Sequence, residues 1–408
     1  MVTLRTAQDG ATRSTAAASG EKSRDRRHRF PSHVRFLAYA YLVSVPFEID
    51  YVMGARSFTF WLGAGLVLLV VLQLPHLTSI RAVINGQLLL PVVALIGFSS
   101  LGYFWSIDRD ATFGATAVLA STVLTWLALA MVIADSLGPA FGALIAGTSL
   151  MSVKLLMSDV TIDGRADIIA NVNDVAVLIV LGGAWLLARV TRLDAGIGKR
   201  IAYGLLLALH VWALLATGSR TGALAILLPL VLVIVWSFAR LRLGLFVGVL
   251  LVTGLMVGSF ILLGITLPQR IASLPSAFAA NDLNFRDVIW RAALPELPSI
   301  VGTGLGSTPT YMHGILGVEA VMHSVYLGIA LELGVVGLLI WAWMLIRLGA
   351  GVRNSSWSRE FVMMAISVAL MALTLTLELR RPLWVFLALP GALTIFARVR
   401  QSSLEGVS

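Results

Sequence analysis

The segment from Thr112 to Ala134, TFGATAVLASTVLTWLALAMVIA, carries no charged residue over a length sufficient to cross a bilayer as a helix. Apolar runs of comparable character recur on both sides of it, at 36–47, 57–74, 87–104, 140–157, 169–188, 201–217, 221–238, 243–265, 322–346, 360–378 and 382–397. The whole chain has 408 residues, 58% apolar and 12% charged, where a soluble domain has about 25% charged. That much apolar surface exceeds what an aqueous fold can hide, which excludes a water-soluble enzyme. The expected class is all-α: a polytopic membrane helical bundle of about twelve transmembrane helices.

The charge balance orients the bundle. Lys and Arg together number 30 against 21 Asp and Glu, with Arg greatly outnumbering Lys, and the chain has no cysteine. Disulfides, thiolate metal sites and cysteine nucleophiles are thereby excluded. Nucleic-acid binding is a poor explanation for the excess, which reads first as a topology signal. Residues 1–35 are polar and Arg-rich and lack helical periodicity, the pattern of a disordered cytoplasmic tail. With that tail inside, Arg189, Arg192, Arg240, Arg347, Arg359 and Arg398 all fall on the cytoplasmic side, and both termini are cytoplasmic. The expected order is helices one to nine over 36–265, one outer loop over 266–321, helices ten to twelve over 322–398, and a short tail, 399–408.

A loop of that length in a tightly strung bundle is usually functional. Its Gly and Pro content predicts short helical pieces joined by tight turns. Arg220, in Gly218-Ser219-Arg220-Thr221-Gly222, is expected at the outer boundary, where a guanidinium is costly unless it faces a polar cavity or an anion. Snorkelling or capping of the preceding helix is its plainer reading. Arg286 opens Arg286-Asp287-Val288-Ile289-Trp290-Arg291, which reads as a short amphipathic helix lying on the membrane. Asp287 and Arg291 are four apart and suited to pair with each other, which leaves Arg286 as the stronger ligand candidate. Trp290 is an interfacial anchor or a stacking platform for a sugar ring. Gly302-Thr303-Gly304-Leu305-Gly306 resembles a phosphate loop in composition only and is explained by a tight turn. His323 combines the outer boundary with a helix entrance, and its ordinary pKa near 6.5 suits proton transfer at neutral pH. Glu319 would share its face if helix extends that far back, and Glu332 would lie on the opposite side. His210 reads as a packed core residue, and Asp108 and Asp110 as local partners of Arg109.

Four segments in order resemble the O-antigen ligase/polymerase superfamily of polytopic glycosyltransferases. They are Trp105-Ser106-Ile107-Asp108, Gly218 to Gly222, Arg286 to Trp290 with Gly302 to Gly306, and His323 to Leu327 followed by Glu332-Leu333-Gly334. The chain departs from the family pattern at Ser324, where Asn is usual. The resemblance implies transfer or polymerisation of an undecaprenyl-pyrophosphate-linked glycan onto a glycan or lipid-glycan acceptor, at the outer face of the inner membrane, without metal or cofactor. It implies that Arg220 and Arg286 hold the pyrophosphate and that His323 activates the acceptor hydroxyl or stabilises the diphosphate. Arg291, Trp290, Glu319, Tyr326 and Arg380 complete the expected substrate-binding set. A twelve-helix transporter of an anionic solute or lipid-linked glycan is the competing expectation, weakened by the lack of two related halves.

Overall fold

The computed structural model describes residues 30–48, 52–53, 56–73, 88–158, 172–192, 196–239, 254, 269–273, 276, 285–297, 299–353 and 355–405. Most of the expected tail and the run 243–265 apart from Gly254 lie outside the described residues, as does part of the expected outer loop. The helices are α1 (Ser32–Ser44), α2 (Phe58–Gln73), α3 (Leu89–Leu101), α4 (Arg109–Ile133), α5 (Leu137–Met157), α6 (Val172–Val190), α7 (Ile197–Ala216), α8 (Arg220–Ala239) and α9 (Gln269–Ala272). They continue with α10 (Arg286–Ala293), α11 (Thr308–Leu316), α12 (Val325–Glu332), α13 (Gly334–Arg353), α14 (Ser358–Ala372) and α15 (Arg381–Glu405). A two-residue hairpin, Val52–Met53 with Arg56–Ser57, is the one sheet among the described residues.

The class is therefore all-α, as expected. Among the described residues five helices (α4, α5, α6, α7 and α13) are long and apolar enough to cross a membrane, and α2, α3, α8 and α15 contain shorter apolar stretches. The apolar run 322–346 is not one helix. It breaks at Leu333–Gly334 into α12 and α13, with Gly334 at φ 65. A Cβ there would fall 2.5–2.6 Å from the carbonyls of Ser299 and Ile300, so only glycine permits the corner and the contact together.

At the centre stands α6, whose side chains are buried without interruption from Val175 to Ala188. A helix apolar on all sides needs helices on all sides, and α7, α8 and α14 pack around it. Gly182 of α6 lets His210 and Thr148 meet across the helix. A Cβ at Gly182 would sit 2.8 Å from both the His210 Nε2 and the Thr148 Oγ1. His210 donates from Nδ1 to the Leu206 carbonyl at 2.8 Å, so Nε2 accepts from Thr148 Oγ1 at 2.8 Å. It is a packed core histidine, as the sequence suggests.

One end of the bundle is closed by a buried carboxylate. Glu360, fully buried at the start of α14, receives Arg189 at 3.3 Å and Arg192 at 3.1 Å from the end of α6. Arg189 lies between the rings of Trp185 and Trp357 at 5.0 and 4.4 Å. Arg359 donates to both the carbonyl and the hydroxyl of Thr191. These are the arginines that the charge pattern assigns to the inner side. Removing Glu360 strands two guanidiniums that are themselves a fifth to a third exposed. Glu360→Ala is expected to cost about 3 kcal/mol, the lower end for a broken buried pair, read as a lowered thermal midpoint in detergent.

Candidate active site

The site is built where residues 299–324 meet α4 and α12. Asp108 is the N-cap of α4, accepting from the Ala111 amide at 2.9 Å through Oδ1 and from the Thr310 hydroxyl at 2.6 Å through Oδ2. The Thr310 bond first, and the Ala111 amide second, hold its carboxyl below the usual range. One carboxylate thus starts a membrane helix and pins α11 to it. The local partnership expected with Arg109 is not how Asp108 is used, and Arg109 instead lies over the ring of Tyr103 at 5.9 Å.

Gly302 to Gly306 is the second fastening. The Thr303 and Gly304 amides donate to the carbonyls of Leu331 and Glu332, both at 2.9 Å, and the Ile107 amide donates to the Thr303 carbonyl at 3.1 Å. Gly302, Gly304 and Gly306 all have positive φ. Side chains there would overlap, respectively, the Glu332 backbone, the Ser106 side chain and the Ala115 side chain. Two of these amides are spent on the end of α12 and that of Gly302 on the Ser299 hydroxyl, so the tight-turn reading accounts for the motif. Glu332, buried at the end of α12, completes the joint by accepting from the Thr308 amide at 3.2 Å and the Thr308 hydroxyl at 2.6 Å.

The third fastening holds the residues expected to carry the chemistry. Helix α10 buries Ile289 and Ala293 against Met312, Met322 and Leu331. Its apolar face is covered by α11 and the segment before α12, which corrects the expectation of a helix lying on the membrane. The indole of Trp290 donates to the Met322 carbonyl at 2.7 Å, so Trp290 positions the residue before His323. His323 itself has φ 49, a left-handed conformation uncommon outside glycine. It is bracketed by buried Met322 and by Ser324, whose hydroxyl caps α12 on the Leu327 amide. The imidazole is half-buried. Burial, and then the Arg286 charge, push its pKa below the ordinary 6.5, so it stands neutral and able to accept a proton at pH 7.

The structure thus brings Arg286 and His323 into one electrostatic environment, with Trp290 as their brace. Arg291 points to solvent and lies 3.9 Å from Asp287, the local pairing that the spacing suggests. Glu319 is exposed in the irregular segment after α11, which Gly317 terminates at φ 71, so no helical face joins it to His323. Tyr326 lines an apolar cavity of about 580 Å³ bounded by α12, α13, α14 and α15. Arg220, at the first position of α8, donates to the Ser273 hydroxyl at 3.1 Å, while Ser219 beside it donates to Asn173. Arg380 pairs with Asp174 at 3.6 Å.

With this geometry in view, the comparison with known families is informative. Residues 203–342 match the O-antigen ligase family model, Wzy_C. The matched segment is about a third of the chain and contains Arg220, Arg286, Trp290, His323 and Glu332. It supports the O-antigen ligase/polymerase-like superfamily and a multi-pass membrane enzyme of O-antigen or polysaccharide assembly. No curated protein matches the chain.

Sequence reasoning placed Glu332 away from His323 and gave it no task. The signal was present, since a carboxylate inside an apolar run needs a partner, but the partner, Thr308, is far away in sequence. The left-handed backbone of His323 has a measurable consequence. His323→Gly relieves it and is expected to hold or raise the thermal midpoint, whereas His323→Val, which cannot adopt that conformation cheaply, should cost about 1–3 kcal/mol. Equal destabilisation by the two would contradict a strained backbone.

Proposed function

We propose that this protein is a glycosyltransferase that ligates or polymerises an undecaprenyl-pyrophosphate-linked glycan, at the outer face of the inner membrane and with both termini cytoplasmic. The observation that carries the reading is the neutral, half-buried His323 within the field of Arg286, two residues before Val325, which with Tyr326 lines an apolar cavity. A lipid diphosphate needs that combination: cations for the phosphates, apolar space for the chain, and a proton acceptor beside them.

In this reading His323 takes the proton of an acceptor hydroxyl. The freed oxygen attacks the anomeric carbon while the bond from that carbon to the diphosphate oxygen breaks, and the diphosphate leaves with the electron pair. Arg286 and Arg220 stabilise the charge that grows on it, since guanidinium forks match phosphate oxygens and strengthen in a dry site. Direct displacement inverts the anomeric centre. Tyr326, Arg291 and Arg380 fall to substrate binding, and Trp290 to holding His323 in place. Glu319, exposed and off any shared helix, contributes at most to the rim.

The test is transfer from a synthetic undecaprenyl-pyrophosphate oligosaccharide by the purified protein, with chelator present. Arg286→Ala and His323→Ala are expected to lower the rate by about 10²–10³-fold or more while leaving insertion intact. A product of retained configuration, or full rates in both variants, would overturn the mechanism. The pH dependence is also determined. Protonated imidazole cannot accept a proton, so the rate falls as pH drops through the His323 pKa, with a midpoint below 6.5. In Arg286→Gln a repelling charge is gone, and the acid limb of the residual rate should move upward, towards 6.5. A downward shift would place Arg286 elsewhere.

A further inference from the structure

A second cavity of about 240 Å³ lies between the end of α1, the start of α2, the middle of α4, the start of α6 and the start of α15. Its chemistry is unlike that of the apolar one. Two carboxylates, Glu48 and Asp174, face three guanidiniums, Arg56, Arg380 and Arg381, with the ring of Phe60 among them. Arg381 is anchored to Glu48 and donates to Ser57 at 3.2 Å. The Arg380–Asp174 approach is different: at 3.6 Å it is an ion pair and too long for a hydrogen bond. Both groups therefore keep hydrogen-bonding capacity that they do not spend on each other.

We propose that this cavity is a sugar-binding subsite that takes one ring of the glycan substrate. Hydroxyl groups both donate and accept, so a sugar bridges a carboxylate and a guanidinium without displacing either. A phosphate can only accept, and would have to lie against two carboxylates. The cavity is smaller than the roughly 300–1,000 Å³ of sites for larger ligands, which fits a single ring. Phe60, at the start of α2, also lines the cavity, with Arg56 over one face of its ring at 5.3 Å, so a bound ring would meet an aromatic edge beside the charged groups.

Its position ties it to the site above, and the assignment to a glycan substrate rests on the function proposed there. The segment 377–382 serves both places. Glu378 lies against Gly328 of α12, whose Cβ would sit 3.1 Å from the carboxylate, and two residues later Arg380 lines the polar cavity. A ring held here is one short stretch of chain away from α12, which begins two residues after His323.

The experiment measures binding of free glucose, galactose, N-acetylglucosamine and rhamnose to the full-length protein in detergent by saturation-transfer NMR, with inorganic pyrophosphate as competitor. At least one sugar is expected to bind, to weaken about tenfold or more in Asp174→Asn and in Phe60→Leu, and to resist pyrophosphate. Loss of the charged partner in Asp174→Asn, or of the aromatic ring in Phe60→Leu, is worth about that factor. Binding by none of the sugars, binding unchanged in both variants, or displacement by pyrophosphate would overturn the proposal. Arg286→Ala separates the two readings: sugar binding that survives there while transfer is also undiminished removes the proposed catalytic centre and leaves the subsite standing.

Discussion

Everything at the reactive end of this protein depends on how Glu332 is satisfied. A carboxylate at the buried end of a helix is costly unless it receives hydrogen bonds, and it receives them from the Thr308 amide and hydroxyl. Its own carbonyl, with that of Leu331, takes the Gly304 and Thr303 amides. The turn 302–306 can come that close only because its three glycines lack side chains and adopt positive φ. Docking this turn also fixes α11 onto Asp108 at the head of α4. The segment outside the membrane helices is thus bolted to two of them.

That rigidity sets the chemistry. Once α11 is held, α10 packs on Met312 and Met322, and the Trp290 indole meets the Met322 carbonyl. His323 is left in a left-handed backbone between a buried methionine and a capping serine. Such a conformation persists only where the surroundings over-determine it. In the proposed reaction, a base held this way needs little rearrangement before it acts, which is what charge developing on a diphosphate rewards.

The sequence was most legible where periodicity and charge act locally. The uncharged run around Trp126 and Leu129 announces its helix, and Asp287–Arg291 pair as four-residue spacing suggests. The short helices expected between 266 and 321 are α9, α10 and α11. What local rules missed was set by distant partners. Hydropathy runs unbroken through Gly334, yet the corner there exists because Ser299 and Ile300 press against it. Asp108 looks like a neighbour of Arg109 until Thr310 is folded onto it. Trp290 reads as a membrane anchor because Met322, its partner, is thirty-two residues away. In the same way Arg380 shows its pairing only when α6 brings Asp174 beside it.

The most direct measurement is an experimental structure of the full-length protein with an undecaprenyl-pyrophosphate glycan bound. The account predicts diphosphate oxygens within about 3 Å of the Arg286 guanidinium, the His323 imidazole beside the sugar–phosphate linkage, and the Trp290–Met322 bond intact. A diphosphate seated on other cations, with His323 turned away from it, would contradict the account at its root.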